Sequence, residues 1–159
     1  MDGGIFVNQK ELLILSHFRK NARRNLTKIS KVTGIPVSTI FDKLKTYEGG
    51  VIKKHTSILD FNVLGYDVRV QLIIKVKKEM KEELYKFLMK SYSVNSLSKI
   101  NNGFDFMLEC VFKNMNQYYL FNEELDDKGV LKKNEFFILQ ELRREAFLND
   151  ENMLDLVNV

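Results

Sequence analysis

The spacing of hydrophobic residues changes partway along the chain, and this change constrains the fold more than any other feature. Up to about Glu48, apolar residues recur every three or four positions, as they do in amphipathic helices. Apolar and polar residues then alternate from Val68 to Val76 and again from Phe104 to Phe112, which is the spacing of half-buried strands. The chain is therefore predicted to be of class α+β, with a helical region first and a mixed region after it.

Three short helices are predicted in the first region. They cover residues 8–20, about 26–33 and 37–47. Gly34 is expected to end the second helix in the left-handed conformation, and Pro36 opens the third helix without a side chain that could cap it. A basic extended hairpin is expected after the third helix. Three helices followed by such a hairpin make up a winged helix-turn-helix domain.

Positive charge is concentrated in the first third of the chain. Residues 1–57 contain 11 Lys and Arg against four Asp and Glu, a net charge of +7, whereas residues 58–159 contain 14 against 17, a net charge of −3. A polyanion is therefore expected to bind the first region, although a solvated lysine-rich surface would have the same charge.

The front of the third helix has the short polar side chains that a helix needs to enter the major groove of DNA. Ser38 and Thr39 are the candidates for base contacts, and lysines of the helix and of the basic hairpin are the candidates for phosphate contacts. The candidate DNA-binding residues are Val37, Ser38, Thr39, Phe41, Asp42, Lys43, Lys45, Lys53 and Lys54. The pattern alone also fits a structural module that binds no DNA.

From Gly65 onward the predicted order is strand, helix, strand, strand, helix, strand. This is the ferredoxin-like βαββαβ plan, a four-stranded antiparallel sheet with two helices on one face. The predicted strands cover residues 68–76, 94–101, 104–112 and 130–143, and the predicted helices cover residues 80–92 and 114–128. The second sheet face is expected to be apolar and to form a homodimer. The residues assigned to it are Ile73, Met107, Val111, Phe137 and Leu139.

The remaining composition narrows the class of protein. His17, His55 and the single Cys110 are too isolated in the sequence to predict a metal site, and no cofactor is expected. No apolar run approaches the roughly 20 residues of a membrane helix, and the first residues do not resemble a signal peptide. We therefore expect a soluble cytoplasmic protein that does not contact a membrane.

Four segments carry a resemblance to a known family. They are "ISKVTGIPVSTIFDKLKTYEGGVIKK", "ILDFNVLGYDV", "INNGFDFMLECVF" and "GVLKKNEFFIL". Together they resemble the leucine-responsive/asparagine regulators (Lrp/AsnC), also called feast/famine regulators. The resemblance implies a winged helix-turn-helix at residues 1–57, a linker at 58–65 and a ferredoxin-like effector domain at 66–144. An acidic tail at 145–159 follows, either as a helix on a partner subunit or as a disordered end.

The resemblance also implies a function. Lrp/AsnC proteins bind DNA, regulate transcription, form dimers that often assemble further, and commonly respond to amino acids. The effector lies near a Gly-aromatic-Asp loop, which matches Asn102, Gly103, Phe104 and Asp105 here. Lys133 and Glu135 stand where the family usually has small hydroxyl residues.

Two other classes of protein share these features. One is an effector-binding oligomer that does not bind DNA, and the basic first region argues against it. The other is an enzyme, because some decarboxylases of tetrapyrrole synthesis have the same two-domain architecture. The second region contains no histidine and no visible catalytic constellation, so the chain is not expected to be an enzyme.

Overall fold

The computed structural model describes residues 8–150, which divide into two units. The first unit contains the described residues up to Ile58 together with those from Leu142 onward, and the second unit is Leu59–Glu141. Within the described residues, no helix is long and apolar enough to cross a membrane.

The first unit contains three helices: α1 (Gln9–Lys20), α2 (Leu26–Thr33) and α3 (Val37–Tyr47). Asn8 caps α1 in a reciprocal capping box with Glu11. Asn25 caps α2, because its side chain accepts a hydrogen bond of 2.8 Å from the backbone N–H of Thr27. The predicted left-handed exit of α2 is confirmed, since Gly34 has a φ of 70°.

A small core joins the three helices. Its fully buried side chains are Ile14, Phe18, Ile29, Ile40 and Tyr47. Ile35 from the turn and Leu44 from α3 pack against them. Burying side chains of this size contributes roughly 1.5–3 kcal/mol each, so this core holds α3 against α1 and α2.

The predicted hairpin after α3 is wrong. Gly49 and Gly50 form a tight turn, in which the N–H groups of Gly50 and Ile52 donate to the Tyr47 carbonyl at 3.1 and 2.9 Å. One isolated bridge joins Glu48 and Ile52, and residues 53–60 form no strand. All eight of these residues are exposed, so neither side of the segment has the burial that would favour strand pairing.

The second unit contains a four-stranded antiparallel sheet and two helices. Its elements are β1 (Val68–Val76), a 3₁₀ turn (Lys78–Met80), α4 (Lys81–Lys90), β2 (Val94–Lys99), β3 (Phe106–Phe112), α5 (Met115–Asp126) and β4 (Val130–Phe137). The strand order is β2-β3-β1-β4. This order confirms the predicted ferredoxin-like βαββαβ plan.

Both helices cover the same face of the sheet. Alternate residues of β1 and β3 are buried there against Leu84 and Leu88 of α4 and against Tyr118, Phe121 and Leu125 of α5. The buried residues of the two central strands are Val70, Leu72, Ile74, Val76, Phe106, Leu108, Cys110 and Phe112. Cys110 therefore lies in the core, as the sequence predicted.

The assignment of Phe137 and Leu139 to the opposite face is wrong. Phe137 pairs with Val70, which points toward the helices, and its ring lies 5.3 Å from that of Tyr118 in α5. Leu139 lies beyond the end of β4 and is 97% exposed. Phe136, which pairs with Gln71, lies on the helix-free face, where Phe137 had been predicted. Because residues 136–139 are all apolar, alternation could not reveal which of them face inward.

The helix-free face is more polar than predicted. Ile73, Met107 and Val111 lie on it and are half-buried. Arg69 contacts Glu109 at 2.9 Å and Glu141 at 2.7 Å on the same face. Charged groups held in such a network can be buried in an interface only while their pairing is preserved.

The described part of the tail lies against α1. Arg19 forms an ion pair with Glu145, and its Nε donates to the Phe147 carbonyl at 3.2 Å. Residues 142–150 form no helix. The rest of the predicted acidic tail, residues 151–159, lies outside the described residues.

Candidate nucleic-acid interface and ligand loop

The α3 helix buries one side and exposes the other. Ile40 and Tyr47 lie in the core, while Val37, Ser38, Thr39, Phe41, Asp42 and Lys45 are exposed. Ser38, Asp42 and Lys45 occur at helical spacing and so lie along one surface. Pro36 occupies the N-cap position, and no side chain makes a capping hydrogen bond there.

A cation–π contact organises the middle of this surface. The Nζ of Lys45 lies 4.5 Å from the centre of the Phe41 ring, one helical turn away. Phe41 is 46% exposed. The pair thus presents an apolar ring and a positive charge together on the exposed side of α3.

Lys43 has a different environment from Lys45. Its Nζ forms an ion pair with the carboxylate of Glu11, which is only 7% exposed and also accepts the Asn8 backbone N–H at 2.9 Å. The hydrogen bonds from Lys43 and then from Asn8 lower the pKa of Glu11. Burial, with the nearby Glu11 charge, raises the pKa of Tyr47 to about 12. Lys43 therefore joins α3 to α1.

Sequence reasoning did not identify Glu11. The Asn8-to-Glu11 spacing indicates a capping box, but the partner Lys43 lies 32 residues away along the chain. Thr39 and Lys43 also line an open cleft of about 270 Å³, between the start of α1 and the turn that precedes α3. Of the predicted DNA contacts, Thr39 thus lies at the edge of the exposed surface.

Lys53 and Lys54 are exposed and follow the turn that ends α3. The neighbouring His55 has its Nε2 3.4 Å from the carboxylate of Glu48. The two lysines therefore lie on an unpaired segment a few residues after α3, and not on a paired strand.

The predicted turn between β2 and β3 is confirmed. Asn102 and Gly103 both have positive φ, at 58° and 83°, and the Phe104 N–H donates to the Asn101 carbonyl at 3.4 Å. This is the geometry of a type I′ turn, which favours the Asn-Gly pair because both central residues must be left-handed.

The carboxylate of Asp105 is occupied within the chain. Its Oδ1 accepts Lys81 Nζ at 2.7 Å, and its Oδ2 accepts the Val76 N–H at 3.1 Å and lies 3.2 Å from Lys75 Nζ. The carboxyl is 7% exposed, and burial alone would raise its pKa. The two lysines and the N–H outweigh burial and hold the pKa of Asp105 at about 2.

A third lysine lies at the same end of the sheet. Lys132 is the cross-strand partner of Lys75, and its Nζ lies 5.1 Å from the centre of the Phe104 ring. Lys75, Lys81 and Lys132 come from β1, α4 and β4, so their proximity could not be predicted before the sheet was known. We call these three residues, with Phe104 and Asp105, the lysine cluster.

Lys133 and Glu135 belong to the helix side of β4. Lys133 contacts Asn122 and Asp126 of α5, the latter at 2.9 Å, and lies 3.6 Å from Glu135. Within residues 8–150, no group of three or more His, Cys, Asp and Glu side chains could hold a metal ion.

Solved structures of other proteins have the same architecture as this chain. No protein-family model matches the chain. The structure of the Neisseria meningitidis transcriptional regulator NMB0573 in complex with L-Met has a TM-score of 0.78 at 19% identity, covering 87% of this chain and 94% of that one. Escherichia coli AsnC has a TM-score of 0.76 at 17% identity, covering 89% and 98%. These likenesses show a shared fold.

A relative in sequence decides the family. The HTH-type transcriptional regulator FL11 of Pyrococcus furiosus, an Lrp-family member, is 30% identical over 120 residues, which are 75% of this chain and 78% of FL11. The chain belongs to the Lrp/AsnC family of transcriptional regulators. Lrp/AsnC relatives are regulators rather than enzymes, so the decarboxylase alternative is set aside.

Proposed function

We propose that this Lrp/AsnC chain regulates transcription by binding specific sites on double-stranded DNA through α3. The observation that carries the proposal is the division of α3 into a buried side, held by Ile40 and Tyr47, and an exposed side that no side chain of the described residues caps at its front. This helix lies in the part of the chain with a net charge of +7.

The residues of α3 and the segment after it divide by role. Val37, Ser38 and Thr39, at the helix start, are proposed to contact base edges. Lys45, Lys53 and Lys54 are proposed to contact phosphates, because their ammonium groups are exposed. Phe41 and Asp42 lie beside Lys45 on the exposed side of α3. Lys43 is proposed to orient the helix from within the unit.

A homodimer would give two such helices. The helix-free face of the sheet carries Ile73, Met107, Val111 and Phe136, and pairing it with a second copy would bury these side chains. A two-fold dimer presents two recognition helices to a palindromic site. We therefore propose that the second unit forms the dimer.

The loop from Asn102 to Asp105 is the proposed binding site of a small-molecule effector. The NMB0573 complex contains L-Met, and the chain shares the fold of that protein. The type I′ turn leaves Gly103 with open space around it, because nothing lies within 4 Å of the position that a Cβ would occupy.

The experiment that tests the proposed DNA binding is a gel shift at several salt concentrations. The probe is DNA from upstream of the protein's own gene, and a scrambled sequence of equal length serves as the control. We expect binding that is tighter to the upstream DNA and that weakens as salt increases. Protein that shows no salt-dependent affinity for either DNA would contradict the proposal and favour an effector-binding oligomer.

A further inference from the structure

The lysine cluster has more positive than negative charge at close range. Lys75 and Lys81 both contact the Asp105 carboxylate, and Lys132 lies opposite Lys75 on the neighbouring strand. Two ammonium groups thus share one carboxylate, and the third lies on the neighbouring strand. The Nζ of Lys132 lies 5.1 Å from the centre of the Phe104 ring.

The pairing of Lys75 with Lys132 is unfavourable by itself. Directly opposed side chains in an antiparallel sheet lie about 4.5–5.5 Å apart at Cβ, and like charges at that position destabilise the pair. Natural sequences break such local rules mainly at functional sites. An anion bound between the two ammonium groups would turn this repulsion into two attractions.

The same contacts exclude a ligand's ammonium group from Asp105. Both carboxylate oxygens already accept hydrogen bonds, from Lys81 on one side and from Val76 and Lys75 on the other. A zwitterionic amino acid would have to displace a lysine to reach the carboxylate. A ligand with only negative groups would meet the lysines directly.

We infer that the effector of this protein is a small dianion, a dicarboxylate or a phosphate group, held by Lys75, Lys81 and Lys132 beside Phe104. The inference rests on the effector loop proposed above and narrows the class of ligand that binds there. Two negative charges would neutralise the excess of the cluster, whereas an amino acid with a single net negative charge would not.

Matched probes test the charge requirement. The melting temperature and the dissociation constant of the full chain are measured with 2-oxoglutarate, with L-glutamate and with inorganic phosphate, at millimolar concentrations and constant ionic strength. 2-Oxoglutarate and L-glutamate share one carbon skeleton and differ in the ammonium group. We expect 2-oxoglutarate or phosphate to raise the melting temperature and to bind at least about tenfold more tightly than L-glutamate. The two arms separate a carboxylate ligand from a phosphate ligand.

Lys132→Gln tests the inference a second time, because it should change protein stability and dianion affinity in opposite directions. Removing this charge should raise the melting temperature of the unliganded protein, because it relieves the repulsion with Lys75, and should weaken dianion binding about tenfold. Lys90→Gln, which removes an exposed lysine at the end of α4, should change neither quantity.

Three results would overturn the inference. They are binding of L-glutamate as tight as that of the tighter-binding dianion, no rise in melting temperature with either dianion, and unchanged dianion binding in Lys132→Gln. DNA binding is measured on the same preparations. If the protein binds DNA but no dianion, only the inferred class of ligand is refuted. If it binds a dianion but no DNA, only the proposed regulatory function is refuted.

Discussion

At the scale of single residues, Lys43 and Lys45 lie two positions apart on α3 but have different partners. Lys45 lies over the exposed Phe41 ring, whereas Lys43 is paired with the buried Glu11. We expect Lys45→Gln to lower the salt dependence of DNA binding by about one unit of slope, because one phosphate contact is lost. Lys43→Gln should leave the slope unchanged.

The stability of the two variants provides the control. Lys43→Gln should lower the free energy of unfolding by about 1–2 kcal/mol, since the Glu11 carboxylate loses its charged partner. Lys45→Gln should change it little, because its cation–π contact is exposed. Urea unfolding measures both. A reduced salt slope in Lys43→Gln would show that Lys43 contacts phosphate after all.

Asp105 makes the stability of the second unit depend on pH. Its folded pKa of about 2 lies below the ordinary 3.8, so the carboxylate stabilises the fold above pH 3.8 and loses this effect as the pH falls toward 2. Asp105→Asn should therefore be less stable than the wild type by about 2 kcal/mol at neutral pH. The gap should shrink through the acid range when unfolding is followed by urea titration. A gap that stays constant to the lowest pH would mean that hydrogen bonding, not charge, provides the stabilisation.

At the scale of elements, the phase of β4 separates the roles of two neighbouring phenylalanines. Phe137 packs on Tyr118 under α5, and Phe136 lies on the helix-free face. Phe137→Ala should lower the free energy of unfolding by about 1–2 kcal/mol, less than for a fully buried ring because part of the side chain is exposed. Phe136→Ala should instead weaken association between subunits. Urea unfolding and sedimentation are measured on both variants. Weaker association in Phe137→Ala together with lower stability in Phe136→Ala would contradict the assigned orientation of β4.

Periodicity predicted most of the elements, because each has one buried side. The span of α3, the alternation of β1 and the turn at Asn102 and Gly103 could all be predicted from local patterns. The phase of β4 could not, since consecutive apolar residues carry no alternation. The hairpin after α3 was predicted from lysines and an extended pattern, but nothing in that pattern indicated burial.

The candidate sites were predicted less completely than the fold, for a physical reason. Exposed residues of α3 and the turn residues follow from short-range patterns. The contacts that determine the roles of Lys43 and Asp105 come from residues distant in sequence. Lys43 is paired with Glu11, and Asp105 is paired with Lys75 and Lys81. Long side chains from separate elements meet only after the core has placed their backbones, and no local pattern records such a meeting.

At the scale of the whole molecule, the proposed dimer links the second unit to DNA binding. Val111→Asp places a charge on the helix-free face and should produce monomers that bind DNA much more weakly, because one recognition helix then binds without the other. Met89→Asp changes an exposed apolar residue of α4 and should leave the dimer intact. Light scattering on the two variants and the wild type measures the mass. A monomeric wild type, or a dimeric Val111→Asp, would contradict the interface.

Because Cys110 is buried, the rate at which a reagent labels this single thiol reports how often the sheet opens. Cys110 lies in the central strand β3, fully buried, and burial raises its pKa to about 12, so almost no reactive thiolate exists while the unit is closed. A thiol reagent can label it only during excursions in which β3 separates from the helices. Since the first unit has no cysteine, the labelling rate reports the second unit alone. A bound effector or a second subunit that stabilises this sheet would slow the labelling without any change introduced into the protein.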